Sequence, residues 1–523
     1  MLWIILFVFS AIFALIYYWS QRKYDYWKKQ KVPYLKPTPI LGNYGDFILQ
    51  KRHMLYVMED FCNRLPNEPY FGVFYGTGPA LIVRDLELLK LITTKDFYYF
   101  NGREASEYVH KEEFTKNLFN NSGDYWRVMR QNLTPMFTSA KMKNMFPLIT
   151  KCAYEFEKLL DSESKKDDIE AREQVGRFTM ACVVSCAFGV DSATMEENTD
   201  ENNPFVKVKD AFFSGSKWVS FKGTFKSVWP SIFYGLGLKS VPAGVNEIMK
   251  NFMLSVFEGR QYKSTTRNDF VDFILKFREK SEIVGDSITN LKTGENKKVH
   301  LEITDDLLTS QCILIFAAGF ETSATTANYT LYELAKHPEI QKKVQEEIDG
   351  YLQKTGNQLN YDVVTELPYT YACIEETMRF YPVLPMLSRE VIEDYTLPNG
   401  VFLEKGTRIH IPVRKIQRDP KNFPEPEVFR PERFLGEERQ KIPPYSYLPF
   451  GEGPRICIGI RFAKMQMLAG LVTLLKKFNV ELKDKSRTSV EYEPQSIIPT
   501  PRYPLKLKVT PRDGWETRTF VQT

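Results

Sequence analysis

The first hydrophobic pattern along the chain is an apolar run at its N-terminus. From Leu2 to Trp19 only Ser10 is polar, and a run of this length is at the lower end of what spans a bilayer as a helix. Basic residues follow the run, at Arg22, Lys23, Lys28, Lys29 and Lys31. Because cations stay on the cytosolic side of a membrane, we predict an uncleaved anchor over residues 1–20. A cleaved signal peptide is the alternative, but it would carry its positive charge before the apolar run.

The segment after this run is basic and then rich in proline. Prolines at positions 33, 37 and 39 fix the backbone and predict a stiff, extended strut. No Gly/Ser linker, repeat or long charge block divides the remainder of the chain. We therefore expect a hinge over residues 21–42 and one large domain over residues 43–523.

A second hydrophobic pattern predicts one long helix from Ile303 to Lys336. Thr304 is a suitable cap, and His337-Pro338 is expected to end the helix. At 1.5 Å per residue, it would be about 50 Å long and could cross a whole domain.

The centre of this helix contains a sequence that buried helices usually avoid, Gly319-Phe320-Glu321-Thr322-Ser323. Gly319 would let another group approach the backbone closely, and the Thr322 hydroxyl can bond a carbonyl one turn back. The helical period places Ala318 and Thr322 on one face. That face could lie over a flat cofactor, although a core helix that tolerates glycine would show the same pattern.

The amino-acid composition excludes fewer classes of function than these hydrophobic patterns do. A hydrophobic share of 43% and a charged share of 26% are ordinary for a globular protein. The net charge of +5 is too small to indicate nucleic-acid binding. The 7 cysteines are scattered and contain no C-x-x-C pair, which is typical of a reducing compartment.

Cys457 is the strongest candidate for chemistry. It ends a glycine-rich loop just ahead of a predicted helix, with Arg455 close by, and both features favour a thiolate. A thiolate held in this way could attack an electrophile or ligate a haem iron. The alternative without a chemical role is a buried structural cysteine. A nucleophile needs a general base, usually histidine. The chain has only 5 histidines, and none is near Cys457 in the sequence.

The pattern Phe450-x-x-Gly453-x-Arg455-x-Cys457-x-Gly459 resembles the haem-binding signature of the cytochrome P450 superfamily. The resemblance implies a mainly α fold with a small β region, forming a single haem-thiolate domain behind an N-terminal transmembrane helix. It implies haem b (iron protoporphyrin IX) as the cofactor and Cys457 as the iron ligand. It places Phe450, Arg455 and Gly459 at the cofactor.

The centre of the long helix is similar to the family's oxygen-binding motif, which matches Ala318 through Ser323. The resemblance implies that Ala318 and Gly319 lie against the cofactor. It also implies that Thr322 organises a water molecule for proton delivery, and that Glu321 connects the site to protons of the bulk solvent.

Two further motifs are similar to those that support the haem in the family. Glu376-x-x-Arg379 and Pro431-Glu432-Arg433-Phe434 would give a buried charge network of Glu376, Arg379 and Arg433. Gln417 departs from the family, since many relatives carry histidine there, and no mechanistic role is predicted for it.

The haem propionates need cations in a medium of low dielectric constant. Trp126-x-x-x-Arg130 resembles the family's motif for one propionate, and Arg455 is a second candidate. Arg389 fits a third place by its offset from Glu376, with a surface arginine as the alternative.

The resemblance implies a monooxygenase that uses electrons from NADPH through the microsomal NADPH-cytochrome P450 reductase, with cytochrome b5 as a second candidate partner. The domain would lie on the cytosolic side of the endoplasmic reticulum membrane. Arg127, Arg461 and Lys464 could form a basic docking face, or simply a solvated one. No nucleic-acid partner is expected.

The expected substrate is a lipophilic small molecule, since the candidate pocket residues are apolar. They are Phe114, Leu118, Phe119, Phe316, Ala317, Val383, Leu384 and Ile497. The aromatic segment 229–237 could dip into the lipid surface, or could be a buried loop.

The amino-acid sequences of segments 131–141 and 450–455 most resemble those of insect members of the family that oxidise plant toxins and insecticides. A dedicated hydroxylase of a hormone, steroid or fatty acid is the main alternative. A haem-thiolate isomerase or dehydratase, or a haem sensor without turnover, would have no use for the Glu321-Thr322 pair.

Overall fold

The computed structural model describes residues 1–164, 169–195, 203–213, 216–241, 244–267, 269–484, 486 and 489–521. Helices dominate these residues, and the strands are short. The helices are α1 (Leu2–Lys23), α2 (Tyr26–Lys29), α3 (Gly45–Ile48), α4 (Met54–Arg64), α5 (Leu86–Lys90), α6 (Gly123–Leu133), α7 (Ser139–Glu163), α8 (Ala171–Phe188), α9 (Pro204–Phe213), α10 (Lys217–Val228), α11 (Pro230–Gly235), α12 (Val245–Gly259), α13 (Phe270–Arg278), α14 (Asn290–Thr293), α15 (Asp305–Lys336), α16 (Pro338–Thr355), α17 (Val363–Glu366), α18 (Pro368–Phe380), α19 (Val413–Gln417), α20 (Gly436–Gln440) and α21 (Ile460–Leu475).

The strands form small sheets around this helical body. They are β1 (Tyr70–Tyr75), β2 (Gly78–Val83), β3 (Ile169–Glu170), β4 (Glu282–Asp286), β5 (Lys298–Glu302), β6 (Met386–Glu390), β7 (Tyr395–Thr396), β8 (Phe402–Leu403), β9 (Arg408–Pro412), β10 (Phe478–Leu482) and β11 (Lys506–Pro511). The largest sheet has the order β1-β2-β9-β6. Within it β2 and β9 are parallel, and the other neighbours are antiparallel. A second sheet has the order β10-β11-β3, and β4-β5 and β7-β8 are two-stranded.

The predicted long helix is present as α15, and its limits follow the expected signals. The Thr304 hydroxyl accepts a hydrogen bond from the Leu307 amide at 3.2 Å, and the helix ends at Lys336, before His337-Pro338. Among the described residues, α15 is the one helix with the length and hydropathy of a membrane span, but 67% of that stretch is buried inside the protein. It is therefore the central helix of the core.

Two large apolar clusters pack along α15. The first contains its C-terminal half, from Ala327 to Ala335, together with α7, α16, α18 and α21. The second contains its N-terminal half, from Leu307 to Phe320, together with α6, α12 and α13. Helix α8 contributes to both clusters. The central residues of α15 thus lie where the two clusters meet.

Part of the predicted hinge packs on the largest sheet. Trp27 is fully buried, and its indole nitrogen donates to the Val73 carbonyl at 2.9 Å. The backbone around Pro33 is extended, and its carbonyl accepts from the Gly72 amide at 2.7 Å. A Cβ at Gly72 would lie 2.3 Å from the Trp27 ring, so glycine is required at this close approach.

Candidate active site

A large apolar cavity lies in the middle of the molecule. Its volume is about 280 Å³, and its walls come from α6, α8, α15, the start of β6 and the loop that carries Cys457. Most of the wall is hydrocarbon, which suits a large apolar ligand. Polar groups interrupt the hydrocarbon in three places, namely at the Cys457 sulfur, at a group of arginines, and along the face of α15 that carries Gln311 and Thr322.

The Cys457 loop is held in a fixed shape by its own backbone. The Cys457 amide donates to the Phe450 carbonyl at 2.9 Å, which closes the loop. Gly453 has a φ of +74°, and a Cβ there would lie 1.9 Å from the Thr93 carbonyl oxygen. Only glycine fits this position. Cys457 has free surface although it lies deep in the protein, because that surface faces the cavity.

The electrostatics of Cys457 differ from the prediction. Burial raises the pKa of the thiol, and the Gly459 backbone, Arg130 and Arg103 oppose that rise. Arg455 was expected to stabilise the thiolate, but its guanidinium turns away, to the backbone carbonyls of Phe119 and Asn121. The uncoordinated side chain is therefore a thiol, and a bound metal ion would be needed to hold it as a thiolate.

Four arginines, which we call the cation rim, line the cavity near Cys457: Arg103, Arg130, Arg389 and Arg455. Among the described residues, none of the four is paired with a carboxylate. Burial lowers the pKa of Arg103 to about 9 and that of Arg389 to about 10. The Nε atoms of Arg103, Arg389 and Arg455 are buried without a hydrogen-bond partner. Unpaired buried cations are costly, so the rim fits a ligand that brings its own acidic groups.

The sequence interpretation identified three members of the cation rim and missed Arg103. Trp126 and Arg130 lie on α6, and the Arg455 guanidinium stacks 4.6 Å from the Trp126 ring. Arg389, on β6, is buried and not on the surface. Arg103 follows Gly102 in a segment without any motif, and its guanidinium lies 3.8 Å from the Phe119 ring. No local signal in the sequence marks it.

The predicted face of α15 does line the cavity. Ala318 and Thr322 both contribute to the wall, and the Thr322 hydroxyl donates to the Ala318 carbonyl at 2.8 Å. Gly319 also reaches the cavity, but the space left by its missing side chain is filled by Val183 of α8, 2.9 Å from a Cβ at that position. The Gly319 carbonyl accepts from the Gln466 amide of α21 at 2.8 Å.

Glu321 does not line the cavity. Its carboxylate forms an ion pair with Arg172 of α8, and the Glu321 side chain is only 8% exposed. Glu321 thus lies behind the helix face that carries Thr322, between that face and α8. This partner was not predicted, because Arg172 is distant in sequence and belongs to no motif.

The predicted charge network forms beneath the Cys457 loop. Arg379 and Glu376 are fully buried and make a bidentate pair at 2.7 and 2.8 Å. Arg433 lies 3.4 Å from the same carboxylate and donates to the carbonyls of Pro424 and Glu425. The network therefore ties α18 to the irregular segment that leads to Cys457.

Gln417 has a clear structural role that the sequence did not show. Its amide donates to the carbonyls of Met378 and Arg379 at 3.0 and 3.1 Å, and its side-chain oxygen accepts from the Leu448 amide at 2.7 Å. A neutral amide can donate and accept at once. It joins the end of α18 to the start of the Cys457 loop.

The predicted pocket residues divide into two groups. Leu118, Phe119, Val383 and Leu384 line the cavity. Phe316 is buried in the apolar core because it lies two residues before Ala318, on the opposite side of α15, and Ala317 is also turned away. Phe114 faces a second, small cavity, and Ile497 is 71% exposed at the surface. These four assignments are corrected: none of the four reaches the main cavity.

The helical period could have found three further wall residues. Leu314 and Ile315 stand one turn before Ala318 and line the cavity, as does Gln311 one turn earlier.

The three predicted docking residues are not equally available. Arg127 lies 3.9 Å from Asp286 and is largely buried. The Lys464 ammonium lies 3.8 Å from the Tyr371 ring. Arg461 is exposed.

Comparison with known proteins gives the class to which this fold and cavity belong. A family model described as Cytochrome P450 matches residues 32–509. The chain is similar to cytochrome P450 6B2 of Helicoverpa armigera, at 37% identity over 515 residues, which cover 98% of this chain and 99% of that protein. It is also similar to cytochrome P450 6B4 of Papilio glaucus, at 34% identity over 512 residues (97% and 99%). Cytochrome P450 6k1 of Blattella germanica is 32% identical over 478 residues (91% and 90%).

The chain therefore belongs to the cytochrome P450 family. It is an enzyme, a monooxygenase of that family, and the relatives named here are insect proteins. The family implies a haem cofactor. The cavity fits such a group, because its apolar walls suit a flat macrocycle and its unpaired arginines suit two carboxylates.

Proposed function

We propose that the protein inserts one oxygen atom of O2 into lipophilic small molecules, with haem b held in the central cavity. The observation that carries the proposal is the meeting of three features in one apolar cavity: the Cys457 sulfur, the cation rim and the Ala318–Thr322 face of α15. A structural cysteine would not need unpaired arginines beside it. A cysteine nucleophile would need a base, and no histidine lines the cavity among the described residues.

Each wall of the cavity has a separate part in holding the cofactor. Cys457 would be the iron ligand, with Phe450 and Gly459 beside it. Trp126 and the cation rim would hold the two propionates, with Arg103 added to the predicted set. Ala318 and Gly319 would lie against the macrocycle on the α15 side. When bound, the haem supplies the oxygen chemistry and the thiolate tunes its electron density.

Thr322 and Glu321 would control the protons. The Thr322 hydroxyl faces the cavity and now donates to the Ala318 carbonyl, so it can rotate to bond a water molecule in the cavity instead. Glu321 would pass protons from the solvent, and its ion pair with Arg172 holds it behind the helix face.

The substrate class follows from the cavity wall. Leu118, Phe119, Val383 and Leu384 offer hydrocarbon and aromatic surface, which favours lipophilic compounds. The similarity to insect members supports xenobiotics such as plant toxins or insecticides. An endogenous hormone, steroid or fatty acid is the second candidate, because the same walls would accept it.

Membrane attachment is supported by exposed apolar surface in two places. Trp3, Phe7 and Leu15 of α1 are 83%, 75% and 68% exposed. Ile232 of α11 is 52% exposed, and Leu236, which follows α11, is 65% exposed, whereas Phe233 between them is buried. Residues 1–20 would anchor the protein in the endoplasmic reticulum, residues 21–42 would be the hinge, and residues 43–523 the catalytic domain. Segment 229–237 would touch the lipid surface.

Electrons would come from NADPH through NADPH-cytochrome P450 reductase, with cytochrome b5 as a second donor. Arg461 is the exposed member of the predicted docking face. Acidic partners are steered by such cations.

A reconstituted assay tests the proposal. The full chain, loaded with haem in phosphatidylcholine vesicles with the reductase, is given NADPH, ¹⁸O2 and a panel of lipophilic compounds. We expect reductase-dependent products with one labelled oxygen atom. Rearranged products of lipid hydroperoxides, formed without NADPH and without oxygen transfer to a second substrate, would indicate an isomerase instead. Haem binding without any turnover over a wide panel would indicate a sensor.

A further inference from the structure

The roof segment, residues 116–121, covers the cavity between α6 and α15. Its Leu118 and Phe119 side chains form part of the wall. The segment has no regular secondary structure, so its backbone polar groups must find partners elsewhere. The partners decide how firmly this part of the wall is held.

One buried side chain of α15 bonds the roof segment on both sides of Asn117. The Gln311 side-chain oxygen accepts from the Leu118 amide at 2.9 Å, and its NH2 group donates to the Lys116 carbonyl at 3.1 Å. Gln311 is 1% exposed and itself lines the cavity. The amide therefore pairs with the roof segment as a neighbouring strand would. Next to it, the Ser310 hydroxyl lies 2.9 Å from the Lys116 carbonyl.

The rest of the roof segment is held from inside and from the cation rim. The Asn117 side-chain oxygen accepts from the amides of Phe119 and Asn120 at 3.0 and 3.1 Å. The carbonyls of Phe119 and Asn121 accept from Arg455. Arg103 stacks on the Phe119 ring at 3.8 Å. Gln311 and its neighbour Ser310 thus fix the segment to α15, and of the two only Gln311 reaches the Leu118 amide, whereas Arg455 and Arg103 fix the segment on the cofactor side.

We infer that Gln311 is a positioning residue that sets the distance between the roof segment and α15, and thereby the size of ligand that the cavity accepts. It does not touch the reacting atoms. With Gln311 in place, Leu118 is kept against α15 and the cavity is limited on that side. Without it, the buried Leu118 amide loses its partner and will move toward water, whereas the Lys116 carbonyl keeps the hydroxyls of Ser310 and Tyr125. The inference deepens the proposed function and rests on it, since it assumes that the cavity takes cofactor and substrate.

The chain offers a matched control in Gln341 of α16. Gln341 is also buried, and its amide donates to the Val480 carbonyl at 2.9 Å and accepts from the Val480 amide at 2.9 Å. It makes the same kind of pairing, on β10, away from the cavity. Gln311→Met and Gln341→Met therefore each remove a pair of side-chain bonds to the backbone, with the same change in side-chain volume.

The experiment compares these two variants with the wild type as haem-loaded full chains. Hydrogen–deuterium exchange reports on the roof segment, and spectral titration gives the affinity ratio of a bulky triaryl-imidazole to a small alkylimidazole. For Gln311→Met we expect faster exchange at the Leu118 amide, by about tenfold, and a ratio that shifts toward the bulky ligand by about fivefold or more. For Gln341→Met we expect neither change.

An unchanged exchange rate and an unchanged ratio in folded Gln311→Met would overturn the inference. Equal changes in both variants would also overturn it, because they would reflect general loosening. If Gln311→Met does not fold, Ser310→Ala is the milder variant, because it removes the neighbouring bond from α15 to the Lys116 carbonyl. An unchanged exchange rate of the roof segment in Ser310→Ala would then count against the inference. Exchange is also measured on the full chains without haem, so a failure of the proposed function would appear separately, as absent imidazole spectra beside a normal exchange result.

Discussion

The two sides of the cavity are built in different ways. On the Cys457 side, which we call the proximal wall, Glu376, Arg379 and Arg433 form a fully buried charge network, and Gln417 joins that network to the loop. On the opposite side, α15 and the roof segment form the distal wall, and the contacts between these two elements come from one amide and one hydroxyl side chain, Gln311 and Ser310. The proximal wall is therefore held by several coupled buried contacts, whereas the distal wall can rearrange locally.

The difference suits the two tasks of the cavity. A sulfur that must face one metal atom has to keep its position within a fraction of an ångström, and a buried bidentate ion pair provides such rigidity at a high cost if it is broken. A wall that admits substrates and water needs contacts that can be exchanged for others at about 1 kcal/mol each. We expect mutations of the proximal wall to affect folding, and mutations of the distal wall to affect turnover.

The largest effect on stability is expected from Arg379→Leu. This change takes from the buried Glu376 carboxylate its bidentate partner, leaves Arg433 at 3.4 Å as the remaining cation, and removes the bonds to the Gln417 and Pro426 carbonyls. Loss of one partner of a buried pair typically lowers the free energy of unfolding by about 3–5 kcal/mol. Chemical denaturation, followed by tryptophan fluorescence, measures the change.

A matched exposed pair serves as the control for that prediction. Lys158 and Glu155 are also three residues apart on a helix, but their side chains are 65% and 47% exposed. Lys158→Leu should change the free energy of unfolding by less than about 1 kcal/mol. Similar losses in the two variants would remove the distinction between the walls.

A smaller, pH-dependent effect is expected from Glu390, beside Arg389 on β6. Burial raises the pKa of Glu390 from 4.5 to about 7. The native state therefore keeps a proton that the unfolded chain releases, and the free energy of unfolding falls as the pH rises from about 4.5 to 7. Glu390→Gln should remove this fall and be more stable than the wild type by about 3 kcal/mol at pH 8.

Denaturation at several pH values checks the Glu390 prediction. Glu404→Gln, at an exposed carboxylate that follows β8, is the control and should leave the pH dependence unchanged. If the wild type and Glu390→Gln keep parallel curves from pH 5 to pH 8, the assignment is wrong.

The smallest effect on stability, with a large effect on turnover, is expected from Thr322→Ala. Its hydroxyl faces the cavity and, within the described part of the chain, bonds only the Ala318 carbonyl, so the free energy of unfolding should change by less than about 1 kcal/mol. Loss of a proton-delivering group should lower product formed per NADPH consumed by about tenfold or more. Product yield and NADPH oxidation are measured together.

Thr330→Ala is the matched control on the same helix. The Thr330 hydroxyl also bonds the carbonyl four residues back, at 2.9 Å, but Thr330 is fully buried and does not line the cavity. It should keep the coupling of the wild type. Equal uncoupling in both variants would point to a general disturbance of α15 instead of a proton path at Thr322.

The sequence predicted residues that lie in local motifs far better than residues that act through distant contacts. Cys457, Glu376, Arg379 and Arg130 lie in motifs with fixed local spacing, so their positions could be assigned without knowing the fold. Arg103, Gln311 and Arg172 act through contacts with residues far away in the chain, and nothing in their local sequence marks them. Phe316 was misplaced because its hydrophobicity was considered without the helical phase of α15, which turns it into the core.

The central claim is that Cys457 holds a haem iron through its sulfur, and the absorption spectrum of the reduced, carbon-monoxide-bound protein tests it most directly. Membranes that contain the full chain are compared for the wild type, Cys457→Ser and Cys186→Ser, whose cysteine lines the same cavity away from the loop. We predict a strongly red-shifted Soret band in the wild type and in Cys186→Ser, and its loss in Cys457→Ser. A red-shifted band that persists in Cys457→Ser, or its absence from folded, haem-loaded wild type, would contradict the account.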